Sequence, residues 1–152
     1  MSLATIRARL HDRPGALERA IALLRRRAFA IRRLSVAHGD RFIDLVLRID
    51  AVRTPPERVR AELLNLHDII AVDGIGAQPA PTRELLLAWM RPATATPSNG
   101  RVLSRSADGI LIEITGSPEE LDDVLDQLDT LGGVVEVVRS GEVALPGSKA
   151  PE

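Results

Sequence analysis

The segment best suited to chemistry is residues 12–17, which read DRPGAL. An alternating apolar pattern precedes it and a helical apolar pattern follows it, so a strand enters a helix through a Pro-Gly pair. Gly15 carries no side chain, so another group can approach the backbone closely, and the first N–H groups of the helix are free to bind a carboxylate. The alternative is a helix start that Asp12 caps, with Pro14 in its first turn and no ligand.

Other residue types that carry chemistry form no pattern typical of a catalytic or metal site. The 152 residues include no cysteine, which excludes a thiolate metal ligand and a cysteine nucleophile. The histidines at positions 11, 38 and 67 lack metal-ligand spacing, and residues 74–76 (GIG) lack the third glycine of a dinucleotide-binding loop. Four aspartates between positions 122 and 129 are interpreted as a solvated helix face. We therefore predict no catalytic residue and no metal ligand in this chain.

The strongest basic cluster is Arg25-Arg26-Arg27 followed by Arg32-Arg33. One interpretation is a nucleic-acid surface. The net charge of −1 and the aromatic content of 2% disfavour it, because single-stranded nucleic acid is usually bound by stacking on aromatic rings. The favoured interpretation is a solvated helix end, where cations suit the helix dipole.

Charge is divided unevenly along the chain. Residues 1–76 hold 14 arginines and 9 acidic residues, whereas residues 77–152 hold 6 basic and 12 acidic residues. The halves therefore carry net charges of +5 and −6, which indicates two units or two faces with complementary partners. Two solvated faces of unequal sign are the alternative. No apolar run approaches the roughly 18–20 residues of a membrane span, so we predict a cytoplasmic protein that binds neither membrane nor nucleic acid.

The predicted elements of the first half follow the order β-α-β-β-α-β. Strands are predicted over residues 3–10, 29–37, 41–49 and 69–75. One helix is predicted to follow Asp12 and end near residue 27, and a second to begin at a Thr54 cap. Two helices on one face of a four-stranded antiparallel sheet would bury every apolar stripe of this half. This order is typical of the ferredoxin-like fold.

The second half nearly repeats this plan. Strands are predicted over residues 84–90, 101–106, 110–115 and 134–138, and Ser117 with Glu120 predicts a capping box at the start of a helix. Residues 91–100 (RPATATPSNG) are too few and too rich in proline for the other helix. The predicted fold class is therefore α+β, with two ferredoxin-like units in tandem, the second lacking its first helix.

Both halves resemble one family. The DRPGAL segment on a β-α-β-β-α-β unit resembles an ACT domain, a small-molecule sensor of amino-acid metabolism. Residues 83–87 (RELLL), 112–116 (IEITG) and 135–145 (VEVVRSGEVAL) are similar to the C-terminal domain of the acetolactate synthase small (regulatory) subunit. The resemblance implies an effector-binding, dimerising ACT domain over residues 1–77 and a linker over 78–82. It also implies a C-terminal ferredoxin-like domain over 83–147 that activates a catalytic subunit, and a tail over 148–152.

The role that this resemblance implies is non-catalytic. Such a small subunit raises the activity of a thiamine-diphosphate-dependent large subunit, which condenses two 2-oxo acids, and it transmits feedback inhibition, usually by valine. Thiamine diphosphate, magnesium and FAD are expected in the large subunit, and no cofactor is expected in this chain. The alternative is a stand-alone tandem ACT-type amino-acid sensor that acts on another partner.

The resemblance also implies an effector site between the ACT domains of a homodimer, paired through their sheet edges. Carried onto this sequence, its residues are Asp12, Pro14, Gly15, Ala16, Leu17, Ala30 and Ile31. Asparagine is common in the family where Asp12 and Ala30 stand, and Ala30 lacks a side-chain hydrogen bond worth roughly 1–3 kcal/mol. The family also has a helix where residues 91–100 stand. Without it, we expect part of the second sheet's apolar face to lack cover within the chain.

Overall fold

The computed structural model describes residues 2–73 and 82–144. These residues form two compact units, one containing residues 2–73 with 142–144 and the other residues 82–141. The GIG segment at 74–76, residues 78–81 of the predicted linker and the predicted tail at 148–152 lie outside the described residues.

The first unit has the predicted β-α-β-β-α-β order. Its elements are β1 (Leu3–His11), α1 (Ala16–Arg26), β2 (Ile31–His38), β3 (Phe42–Asp50), α2 (Pro56–Leu64) and β4 (Ile69–Asp73). The strands form an antiparallel sheet in the order β2-β3-β1-β4. This is the ferredoxin-like arrangement, so the predicted fold of the first half is confirmed.

Alternation along β1 sets which face of this sheet is buried. Ile6, Ala8 and Leu10 are fully buried, and each lies opposite an apolar residue of β3, as in the pair Leu10 and Ile43. The two helices supply the other side of the core with residues such as Leu24 of α1. A period-2 strand pattern and a period-3.6 helix pattern thus meet in one hydrophobic layer.

The second unit has the same sheet order with one helix fewer. Its elements are β5 (Thr82–Met90), β6 (Arg101–Arg105), β7 (Ile110–Gly116), α3 (Pro118–Leu131) and β8 (Val134–Arg139). A two-residue strand, β9 (Val143–Ala144), lies in the segment that groups with the first unit. The four strands follow the antiparallel order β6-β7-β5-β8, and residues 91–100 contain no helix, as predicted.

The expectation that part of the second sheet's apolar face lacks cover is wrong for β5 and β7 but holds at β6, where Val102, opposite the buried Ile112, is 39% exposed. The connection over residues 91–100 folds back against the apolar face that α3 also covers. A Cβ atom added at Gly100 would lie 3.6 Å from Ile112 and 3.7 Å from Ile114, and both isoleucines are essentially buried. A turn closed by the Gly100 N–H on the Pro97 carbonyl (2.9 Å) holds this backbone in place. This turn therefore covers the face around Ile112 and Ile114 in place of a helix, but not the edge at β6.

The predicted helix caps have different outcomes. The capping box of α3 is confirmed, since Ser117 Oγ accepts from the Glu120 N–H and the Glu120 carboxylate accepts from the Ser117 N–H. Asp12 does not cap α1, because Gly15 is the N-cap residue and no side chain bonds to the helix there. Thr54 does not cap α2 either, because its hydroxyl accepts from the Ala30 N–H (2.9 Å) instead. For Thr54, a hydrogen bond to a residue 24 positions away thus takes the place of the local cap.

Candidate functional site

The DRPGAL segment forms a tight connection between β1 and α1. β1 ends at His11, and α1 begins at Ala16 after Gly15 with φ +80°. Glycine adopts this left-handed conformation without the steric cost that a Cβ brings. Two backbone bonds close the turn, from Arg13 N–H to His11 O and from Ala16 N–H to Arg13 O (both 3.0 Å). The turn therefore presents the amino end of α1 to an open concavity.

This concavity is a pocket of about 460 Å³. It is lined by Asp12, Arg13, Pro14, Gly15, Leu17, Glu18, His38 and Ile43. The lining thus comes from the β1–α1 connection, the first turn of α1, the end of β2 and the start of β3. The fold brings these four places together at one end of the sheet.

The pocket gathers four of the seven residues expected to bind an effector. Asp12, Pro14, Gly15 and Leu17 line it, whereas the Ala16 side chain is buried.

The remaining two expected residues, Ala30 and Ile31, lie at the other end of β2 from His38. Seven residue steps along a strand span about 23 Å. The pocket of a single chain therefore does not include Ala30 or Ile31.

The charges around the pocket are of both signs. Asp12 and Glu18 supply carboxylates, while Arg13 and His38 supply cationic or hydrogen-bonding nitrogen. His38 Nδ1 lies 3.9 Å from Asp12 Oδ2, with both side chains largely open to solvent. Leu17 adds an apolar wall. Such a lining can hold an ammonium group, a carboxylate and a short aliphatic side chain at once.

An ion pair beneath the turn was not found by sequence reasoning. Arg19 donates to Asp68 Oδ2 from Nε (3.0 Å) and Nη2 (2.6 Å), and Nη2 also lies 3.3 Å from the Pro14 carbonyl oxygen. The Asp68 side chain is 2% exposed, and its backbone carbonyl accepts from the His11 N–H (2.9 Å). Both ends of the β1–α1 connection are therefore tied to the residue before β4.

The same ion pair changes the acidity of Asp68. The hydrogen bond from Arg19 holds the pKa of the Asp68 carboxyl below its usual value, and this effect exceeds the opposing effect of burial. Asp68 and Arg19 are 49 positions apart, so no local pattern could have shown their contact.

A second buried carboxylate, Glu142, was also missed. Its side chain is 1% exposed, and it accepts from Arg48 Nη1 (2.8 Å) and Thr5 Oγ1 (3.0 Å). Ser35 Oγ donates to the Glu142 backbone carbonyl. Three strands of the first sheet thus bind one residue from late in the chain. The sequence signal was an acid within the matched C-terminal segment, and its burial was not foreseeable from it.

Comparison with known proteins identifies the family. The family model described as "Small subunit of acetolactate synthase" matches residues 93–148. The acetolactate synthase small subunit of Mycobacterium leprae is 31% identical over 152 residues, covering 93% of this chain and 89% of that protein. The chain belongs to the acetolactate synthase small-subunit family. The resemblance drawn from the DRPGAL segment and the second half is thereby confirmed.

Small subunits with lower sequence identity are similar to this chain over nearly the same share of its length. The Haemophilus influenzae acetolactate synthase small subunit is 26% identical and the probable one of Methanothermobacter thermautotrophicus is 27% identical, each covering at least 90% of this chain. The crystal structure of the Thermotoga maritima small subunit has a TM-score of 0.77 at 22% identity, covering 95% of this chain and 97% of that one. That structure supports the fold.

Two further kinds of feature are absent from the described residues. No helix within residues 2–73 or 82–144 is long and apolar enough to cross a membrane. Over the same ranges, no group of three or more histidine, aspartate or glutamate side chains is arranged to hold a metal ion.

Proposed function

We propose that this chain is the regulatory small subunit of acetolactate synthase and that it activates the catalytic large subunit in branched-chain amino-acid biosynthesis. The observation that carries the proposal is 31% identity to a small subunit across 93% of the chain, since this extent includes both units. Thiamine diphosphate, magnesium and FAD belong to the large subunit in this proposal, and this chain supplies no catalytic group.

The proposed effector is an amino acid with a short aliphatic side chain, such as valine. Asp12 and Glu18 suit its ammonium group, and the N–H groups at the start of α1 with Arg13 suit its carboxylate. Leu17 suits its side chain. The mixture of charges supports a zwitterion over a simple anion or cation.

A homodimer through β2 completes the proposed site. β2 is an edge strand of the first sheet, with Leu34 and Val36 exposed by 39% and 38%. An antiparallel second copy of β2, centred between positions 34 and 35, would set Ile31 of that copy opposite His38 of the first. Ala30 and Ile31 of the second copy would then lie beside the pocket. This pairing accounts for two expected residues that the single chain holds at a distance.

The deciding experiment for the proposed function is acetolactate formation by the cognate large subunit while this protein is titrated in, with and without valine. Stimulation that valine reverses supports both the subunit role and the effector site. Stimulation that ignores valine supports an activator with a different effector. Absence of both stimulation and co-purification would overturn the proposal in favour of a stand-alone amino-acid sensor.

The effector site has its own test in two variants at position 15. Gly15→Asp adds a negative charge beside the proposed position of the effector carboxylate, whereas Gly15→Asn is nearly the same size without the charge. A Cβ in either variant would lie 2.6 Å from Arg19 Nη1, so both require the same shift of the Arg19 side chain, and Asp and Asn both occur in the left-handed conformation. We expect valine binding, measured by calorimetry, to be lost in the Asp variant and weakened less in the Asn variant. Unchanged binding by both variants would place the effector elsewhere.

A further inference from the structure

Two connections meet at the end of the first unit that lies away from the pocket. The link between α1 and β2 and the link between β3 and α2 are joined by two hydrogen bonds. The Ala30 N–H donates to Thr54 Oγ1 (2.9 Å), and the Asp50 N–H donates to the Ala30 carbonyl (2.9 Å). Residues near 25–32 and 50–62 therefore share one end of the sheet.

This end is rich in exposed arginine. Arg25, Arg26, Arg53 and Arg58 are all exposed, and Val52 among them is 75% exposed. We call these five residues the arginine end. The Arg58 guanidinium lies 5.9 Å from the centre of the Phe29 ring, so a cation–π contact links the α1–β2 connection to α2.

Acidic residues of the same segments do not cancel this charge. Residues 25–32 and 50–62 contain seven arginines and three carboxylates, a net charge of +4. Two of the three carboxylates are already paired, Asp50 with Arg32 (3.2 Å) and Glu62 with Arg27 (3.0 Å). Much of the +5 charge of the first half is thus gathered at one end.

We propose that the arginine end is the surface on which an acidic patch of the catalytic large subunit docks; this inference rests on the proposed function. Arginine binds carboxylates through two parallel hydrogen bonds and is enriched at protein interfaces, and an exposed apolar side chain among arginines matches the usual interface pattern of apolar centre and polar rim. The pocket lies at the opposite end of β2, so an effector and a docked partner would occupy separate places.

A protein fits this surface better than a nucleic acid does. The whole chain has a net charge of −1 and only 2% aromatic residues, whereas nucleic-acid-binding domains are typically basic overall. The apolar Val52 side chain has no favourable interaction with a phosphate backbone, but it can pack into an apolar depression on a protein.

The test reverses three exposed charges and measures binding to the large subunit. The variant Arg25→Glu/Arg26→Glu/Arg53→Glu, in the full chain, is compared with wild type at several salt concentrations. We expect association to slow by roughly tenfold or more and to depend less on salt, because charge at the rim of an interface mainly steers encounter. The variant Arg25→Gln/Arg26→Gln/Arg53→Gln should give a smaller change in the same direction without adding acids to the carboxyl end of α1.

A matched control reverses one charge of the first unit away from the arginine end. Arg41 is exposed between β2 and β3, and Arg41→Glu should bind nearly as wild type does, whereas Arg53→Glu alone should slow association. Thermal melts of all variants show whether each remains folded.

Four outcomes would overturn the docking surface. The first two are an equal loss of binding in the control and full binding to the large subunit by the folded Arg25→Glu/Arg26→Glu/Arg53→Glu variant. The other two are a change that this variant causes in the molar mass of the isolated chain, and salt-sensitive binding of a DNA duplex that this variant abolishes. Failure of the wild type itself to bind the large subunit would instead overturn the proposed function.

Discussion

At the scale of single residues, the first unit depends on two buried carboxylates that arginines hold. Asp68 is bound by Arg19, and Glu142 by Arg48. Removing one partner of a buried pair leaves the other charge without compensation, which is usually more costly than replacing both. The Arg19 pair has an added consequence, because the same guanidinium reaches the Pro14 carbonyl that shapes the pocket.

The lowered pKa of Asp68 predicts a dependence of stability on pH. The unfolded chain takes up this proton more readily than the folded chain does, so the stabilisation is complete above the ordinary aspartate pKa of about 4 and is lost as the pH falls below it. We expect Asp68→Asn to be less stable than wild type at neutral pH and the difference to shrink in acid.

Urea unfolding at a series of pH values measures this difference. Asp73→Asn, which changes an exposed aspartate of the adjoining strand, is the control and should follow the wild-type curve. If the difference in unfolding free energy between Asp68→Asn and wild type stays constant into acid, the Arg19–Asp68 pair does not stabilise the fold through its charge.

At the scale of elements, both ends of α1 have a residue with positive φ, but only one of these residues is glycine. The helix begins after Gly15, where a positive φ suits glycine, but it is followed by Ala28 with φ +52°. Glycine is the usual residue in this position after a helix, because a Cβ there costs about 1–2 kcal/mol. The first unit therefore carries strain at the connection that leads into β2.

Ala28→Gly should relieve this strain. The gain is offset by the greater freedom of glycine in the unfolded chain, so we expect a net stabilisation of roughly 0.5–1 kcal/mol. Ala22→Gly, on the exposed face in the middle of α1, makes the same chemical change where the backbone is helical and should destabilise by about 1 kcal/mol. Denaturant unfolding of both variants measures whether each substitution raises or lowers the free energy of unfolding. A loss of stability in both variants would show that Ala28 is not strained.

At the scale of the whole molecule, one edge strand of each sheet offers a comparison. β2 of the first sheet exposes Leu34 and Val36 by 39% and 38%, and β6 of the second exposes Val102 and Leu103 by 39% and 40%. Exposed apolar edges are places where a second chain can pair. The proposed function uses the edge at β2, since only that pairing brings Ala30 and Ile31 towards a pocket.

Charges on β2 should therefore separate the dimer. We expect Leu34→Lys/Val36→Lys to halve the molar mass measured by light scattering and to abolish valine binding, because each pocket would lose its second copy. Val102→Lys/Leu103→Lys introduces the same charges on an equally exposed edge and should leave both properties unchanged. Dissociation by the β6 variant alone would place the dimer interface on the second unit.

Local patterns in the sequence determined the elements and their order. Alternation in β1, helical spacing in α1 and the Ser117–Glu120 capping box are short-range signals, since each depends on residues within a few positions of one another. The prolines of residues 91–100 excluded a helix for the same reason. The sequence also brought Asp12, Pro14, Gly15 and Leu17 to one connection, because they are neighbours in the chain.

Only the tertiary structure determined which contacts several side chains make within that arrangement of strands and helices. Asp12 and Thr54 looked like helix caps, but Asp12 lines the pocket and Thr54 holds Ala30. Arg19 meets Asp68, and Arg48 meets Glu142, only after the sheet has formed. Such pairs join residues 49 and 94 positions apart. No period or spacing in the sequence encodes them, because the contact energy appears only when packing has already brought the strands and helices together.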